Sequence, residues 1–325
     1  MKSAKKLPAT PQAMAQEMMR QLTRNLGPDE LILPDDVDAL MASLKGLLSG
    51  DHPRDDAAEA RDEAQELAFK AMESTSEAQA RKLATRALRL DPDCVDALVV
   101  MTELDARTPR ERIEGLQKAV AAGEQSLGAK FIRENQGNFW LLIDTRPYMR
   151  ALGMLAGALS AHGMRLDAIK VYEKMLTLNP NDNQGVRDPV LALYLEVGDL
   201  KSAAVVLSRY KRDASANFAW ARVLERLLAG DETGASNALA KARRANRHVE
   251  LYMTMQKALP KEMPEMYSPG SEEEAVLCLN FLSGAWAAHR DATAWIYDRL
   301  AEAGVSPVLS KSGLRKIPIP RNTVQ

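Results

Sequence analysis

Apolar residues in this chain recur at helical spacing. Leu152, Leu155, Ala156 and Leu159 fall on one side of a helix; Ala168, Tyr172, Met175 and Leu178 fall on one side of the next. Gly163 separates the two, and Pro180 ends the pair. The arrangement returns with Tyr194, Gly198, Ala203 and Leu207, and again with Trp220, Gly230, Ala235, Leu239 and Ala242. Gly163, Gly198 and Gly230 are spaced by 35 and 32 residues, and Ala168, Ala203 and Ala235 each follow 5 residues later. A helix–turn–helix repeat of about 34 residues has this period. One such repeat cannot bury its apolar face alone, so repeats stack into a solenoid, which usually binds along an extended concave surface.

Outside these repeats the pattern continues less regularly. Thr10-Pro11 opens a helix carrying Met14, Met18, Leu22 and Leu26, and Asp36 caps a second that ends at Gly50. The expected division is a disordered start (1–9), a helical N-terminal extension (10–50), a polar linker (51–57), the solenoid (58–303) and a basic flexible tail (304–325). Within the solenoid, Ser74-Thr75-Ser76-Glu77 and Thr108-Pro109-Arg110-Glu111 mark helix starts. Residues 129–146 interrupt the period. Ser271 with Glu274 begins another helix, and a last one covers about 291–303.

Composition narrows the function classes. Hydrophobic residues make up 46% of the chain and aromatics 5%, with Ala, Leu and Met carrying the apolar load, which favours helix over sheet. A net charge of −1 gives no long-range attraction to nucleic acid or an anionic membrane. Two cysteines, Cys94 and Cys278, form no disulfide framework, and a cytoplasmic setting is the plain expectation. His52, His162, His248 and His289 have no metal-ligand spacing, so no metal or cofactor is expected. The basic start is not followed by an apolar stretch, and no run is long enough to span a bilayer, so no integral membrane segment is expected.

The third repeat places Ala156, Gly163, Ala168, Tyr172 and Pro180 as the tetratricopeptide pattern does. Four strings go further: Trp140 to Arg150 (WLLIDTRPYMR), Asn179 to Arg187 (NPNDNQGVR), Asn246-Arg247-His248-Val249 and Tyr267 to Ala275 (YSPGSEEEA). On these the chain resembles the suppressor-of-tumorigenicity family of tetratricopeptide proteins and its bacterial relatives. The resemblance covers roughly residues 130–300. It implies an all-α, tetratricopeptide-like helical-hairpin solenoid. The chain departs from the family at Arg247, where the pattern has proline, and at Pro189, where it continues a helix; it also lacks the membrane segments of animal members.

The candidate partner-binding residues come from two of these strings. Equivalent loops of neighbouring repeats lie side by side, so Arg146, Arg150 and Arg187 are expected on one rim, with Trp140, Tyr148 and Asn183 beside them. Arginine forks bind carboxylate or phosphate through paired hydrogen bonds, which suits a protein or peptide partner with acidic groups. The competing reading is structural: Asp144, Asp182 and Asp188 pair with these arginines and cap helices. The expected function is a non-enzymatic interaction scaffold that takes its partner in the concave groove. The alternatives are a helical enzyme with a site near Trp140–Arg150 and a nucleic-acid-associated regulator using Lys241, Arg243, Arg244, Arg247 and the tail. Nucleic acid is the less expected partner, and no residue stands out as catalytic.

Overall fold

The computed structural model describes residues 56–303, which hold fourteen α-helices and no strand. The expectations for residues 1–50, most of the linker and the tail from 304 lie outside the described residues. The chain divides into two compact units, one through Asn183 and one from Gln184.

The first unit holds α1 (Asp56–Met72), α2 (Glu77–Leu90), α3 (Val95–Asp105), α4 (Pro109–Leu127), the short α5 (Ala129–Glu134), α6 (Arg146–Ala161) and α7 (Arg165–Leu178). Each long helix packs on the next, so α1/α2, α3/α4 and α6/α7 are hairpins. In addition α1 packs on α3 and α3 on α6. A first helix that touches both its own partner and the first helix of the following hairpin is what stacked helix–turn–helix repeats require. The fold is all-α and tetratricopeptide-like.

The second unit holds α8 (Arg187–Val197), α9 (Leu200–Arg209), α10 (Ala216–Leu228), α11 (Glu232–Ala245), α12 (His248–Met253), α13 (Glu272–Ala288) and α14 (Arg290–Glu302). The hairpins α8/α9 and α10/α11 repeat the scheme, with α8 packed on α10. The long α13 then packs on α8, α10 and α12. Its Gly284 lies so close to the Glu196 carboxylate of α8 that an added Cβ would sit 3.2 Å from it.

The repeated glycines have one cause. Gly163, Gly198 and Gly230 have φ of 77°, 77° and 75°, a left-handed conformation that side chains disfavour. Each donates to the carbonyl three residues back, and the next residue donates to the carbonyl five back: Met164 to Leu159 (2.9 Å), Asp199 to Tyr194 (2.8 Å) and Asp231 to Arg226 (2.9 Å). One glycine-capped helix end is thus used three times, and it reverses the chain so that Ala168, Ala203 and Ala235, all fully buried, face the preceding helix. Pro189 falls in the first turn of α8, where backbone N–H groups have no intrahelical partner, so the helix starts without loss.

Replacing Ala168 with Phe is expected to destabilise the first unit by about 1–3 kcal/mol through overpacking. Thermal melting followed by circular dichroism checks this; an unchanged melting temperature contradicts the close approach of α6 and α7.

Candidate functional site

The interruption at 129–146 is an insertion held by a helix end. The N–H groups of Gly137 and Phe139 both donate to the Leu178 carbonyl at the end of α7 (3.1 and 3.2 Å), and the Phe139 ring is buried. A single 3₁₀ turn, Ile143–Thr145, leads into α6. The buried Thr145 hydroxyl reaches the carbonyls of Phe139 and Leu142, and these contacts fix where α6 begins.

This anchoring sets the first four candidate residues. Arg146 donates from Nε and Nη2 to the Trp140 carbonyl (3.3 and 3.2 Å), and its guanidinium lies 5.1 Å from the centre of the Trp140 ring. Both side chains are half-buried, and the neighbouring Leu141 is 67% exposed. Tyr148 points inward. Its hydroxyl donates to Glu124 Oε1 (2.9 Å), its ring meets Phe139 edge-on at 6.3 Å, and Gly123 makes room for it, since a Cβ there would lie 2.7 Å from the ring. Burial, reinforced by Glu124, pushes the phenol well above its ordinary pKa. Glu124 is itself held below the usual carboxylate range: burial opposes ionisation, but hydrogen bonds from Lys174 and Tyr148 outweigh it.

Arg150 is the most committed of the set. Its Nε donates to Asp96 Oδ1 (3.0 Å) and its Nη2 to Oδ2, a two-pronged pair. Gln65 Nε2 adds a bond to Asp96 Oδ2 (2.6 Å), and the Phe69 ring lies 5.3 Å from the guanidinium. Asp96 is 1% exposed.

The remaining two candidates fall on either side of the unit boundary. Asn183 is the last residue of the first unit; its side chain is exposed and has no hydrogen-bond partner. Arg187 opens α8 in the second unit, donates from Nε to Asp213 Oδ2 (2.9 Å) and lies 5.4 Å from the Tyr210 ring. Burial works to raise the pKa of Asp213, and hydrogen bonds from Ser215 and Arg187 outweigh it and keep the carboxyl ionised.

The structure therefore brings Trp140 and Arg146 together at the surface and turns Tyr148 and Arg150 toward internal carboxylates. The acidic partners of Arg150 and Arg187 are Asp96, 54 residues earlier, and Asp213, 26 residues later. Neither was singled out in the sequence, because nothing local marks them. In the basic run 241–247, Arg243 pairs with the buried Glu250 (2.8 Å) and complements the end of α11. Cys94 and Cys278 are buried thiols; burial pushes Cys94 up to about 12 and Cys278 well above its ordinary value. Among the described residues no group of three or more His, Cys, Asp or Glu is placed to hold a metal ion, and no helix is long and apolar enough to cross a membrane.

The hairpins themselves decide the class. Their stacking makes the fold tetratricopeptide-like. No protein-family model and no curated protein matches the chain. Among solved structures it is similar to YrrB, described as a TPR protein with an unusual peptide-binding site. The match has 17% identity and a TM-score of 0.42, and covers 62% of this chain and 91% of that one. It is also similar to PilF of Pseudomonas aeruginosa, with 18% identity and a TM-score of 0.30, over 58% of this chain and 92% of that one.

Two of the four resemblance strings meet inside the second unit. Glu274, 6% exposed, accepts from the backbone N–H of Ala216 (3.0 Å) and Gly270 (2.7 Å) and from Asn246 Nδ2 (2.9 Å). Asn246 also donates to the Ser271 carbonyl (2.7 Å) and accepts from the N–H of His248 (2.9 Å), while its own carbonyl takes the indole N–H of Trp220 (3.3 Å). The Glu272-Glu273-Glu274 run reads in sequence as charge at a helix start. Its third member joins the start of α10, the end of α11 and the start of α13.

Proposed function

We propose that the protein is a non-enzymatic interaction scaffold that binds a protein or peptide partner in the groove of its hairpins, in the cytoplasm. The observation that carries this reading is the surface around Trp140: an indole covered by the Arg146 guanidinium, next to the exposed Leu141. Flat apolar area beside a cation suits a peptide carrying acidic side chains. Trp140, Arg146 and Asn183, all in the first unit, are the proposed direct contacts; Arg187, in the second unit, is committed to Asp213. Tyr148 and Arg150 hold the helix that presents them. Both cysteines are buried thiols, which fits a reducing compartment.

The test uses two variants of the full chain, Asn183→Ala and Arg146→Ala, compared with the native protein in affinity capture and thermal melting. Asn183 makes no internal hydrogen bond, so N183A is expected to melt within about 2 °C of the native protein, as surface changes usually do. Capture of the specific partner is expected to fall about fivefold to tenfold for each variant and to weaken with salt, since exposed charges are screened over about 8–10 Å. Variants that melt normally and still capture the same partner in full overturn the proposal.

A further inference from the structure

The turn joining α9 to α10 is basic, with Arg209, Lys211 and Arg212 set around Tyr210. Next to it lies a recess of about 300 Å³ lined by Leu207, Ser208, Lys211, Arg222, Glu225 and Arg226. Its charges are unevenly answered. Arg226 is paired with Glu225 (3.3 Å) and Asp231 (3.4 Å). Glu225 is buried and reaches neither Arg222 nor Lys211. Arg222 gives one N–H to the Leu207 carbonyl (3.2 Å), capping the end of α9, and has no carboxylate partner. Lys211 is exposed and makes no hydrogen bond or ion pair. Arg222 and Lys211 therefore bring two positive charges to the recess with no carboxylate paired to either, while the one acid lining it, Glu225, lies against Arg226.

We propose that this recess binds a phosphate monoester. Such a group carries about −1.5 to −2 charges at neutral pH and three strong acceptor oxygens. The free edge of the Arg222 guanidinium, the Lys211 ammonium and the Ser208 hydroxyl supply donors of three geometries, and the guanidinium fork matches phosphate oxygens two at a time. A single carboxylate leaves one positive charge unmatched. The monoester is carried either by a free small molecule or by a modified peptide side chain; the donors read the phosphate in both. The site lies wholly in the second unit and stands independently of the partner surface around Trp140.

Calorimetric titration of the full chain with O-phosphoserine, inorganic phosphate and a phosphoserine peptide tests it. Binding is expected to tighten as pH rises from 5 to 7, because the second phosphate ionisation lies near about 6. Lys211→Gln is expected to leave melting unchanged, since the side chain is exposed and makes no hydrogen bond or ion pair, and to weaken phosphate binding about tenfold. Arg222→Gln is expected to weaken it as much, with some loss of stability from the uncapped α9 carbonyl. Arg212→Gln, outside the recess, is expected to change affinity about twofold or less, as an exposed charge does. Tighter binding of the peptide than of O-phosphoserine assigns the peptide source, and the reverse assigns the small molecule; both support the site. Absence of phosphate binding, equal losses in R212Q and K211Q, or equally tight binding of an aspartate peptide or an oligonucleotide overturns it.

Discussion

Replacing Glu274 with glutamine is expected to cost the second unit about 3 kcal/mol, although the two side chains have nearly the same shape. The carboxylate only accepts, and it is surrounded by donors: two backbone N–H groups, from Ala216 and Gly270, and the Asn246 amide. An amide NH₂ in place of either oxygen faces a donor and leaves that donor unsatisfied in a site 6% exposed. Water cannot take over the bond there. The cap at Ser271, which accepts from the Glu274 backbone N–H (3.2 Å), is untouched by the change, so helix α13 still starts where it does. Trp220, Trp286 and Trp295 lie in the second unit and Trp140 in the first. Denaturant unfolding followed by tryptophan fluorescence therefore reports mainly on the affected unit. A transition midpoint equal to that of the native protein contradicts the assignment.

The second large effect is an asymmetry between the two members of one ion pair. Asp96 is 1% exposed, whereas the Arg150 side chain is 32% exposed. Removing the arginine by Arg150→Ala strands a carboxylate that water cannot reach, with only Gln65 left to donate to it. Removing the acid by Asp96→Ala frees a guanidinium that can turn toward solvent. Arg150→Ala is expected to cost about 3–4 kcal/mol, near the range for breaking a buried pair. Asp96→Ala is expected to cost about 2 kcal/mol, reduced because the remaining charge is solvated. The double variant is expected to be no less stable than Arg150→Ala alone, since the stranded charge is gone. Melting of the three variants checks the order, and Asp96→Ala as the more damaging change refutes this account of the pair. Because Arg150 carries this load, a change in partner binding after its removal counts only against a matching change in stability.

The legible part of this fold was the part coded within one helix turn or one helix end. The spacing of Gly163, Gly198 and Gly230 translated into three copies of one reversal, because glycine at that position is a local steric requirement. The helix starts at Ser76, Thr108 and Ser271 were readable for the same reason. Even there a detail differed: Glu111 reaches back to the N–H of Arg107 (2.7 Å) rather than to that of the capping Thr108. What the sequence did not disclose was any pairing made by helix packing. Asp96, Asp213 and Glu274 find partners 26 to 58 residues away, and each looks like an ordinary solvated acid in its own segment. The recess at Lys211 and Arg222 was not singled out in the sequence, although Arg209-Tyr210-Lys211-Arg212 is a short basic run. Its convergence with Ser208 and Arg222 depends on how α9 lies on α10.

The reach of Glu274 across 58 residues to Ala216 also orders events in time. A chain leaving the ribosome presents the first unit whole well before residue 274 is made, and hairpins of that unit need only their neighbours. The N-terminal end of α10, by contrast, stays short of its carboxylate partner, and the Asn246 amide stays short of its acceptors at Ser271 and Glu274, until the start of α13 has emerged. At about 5–20 residues per second, those 58 residues take about 3 to 12 seconds to synthesise. Until α13 emerges, α8, α10 and α12, each from the time it is made, expose the apolar faces that α13 later covers. The second half of this protein is thus the half that nascent-chain chaperones have reason to guard, and a stall or early stop before codon 274 leaves it sticky while the first half is already sound.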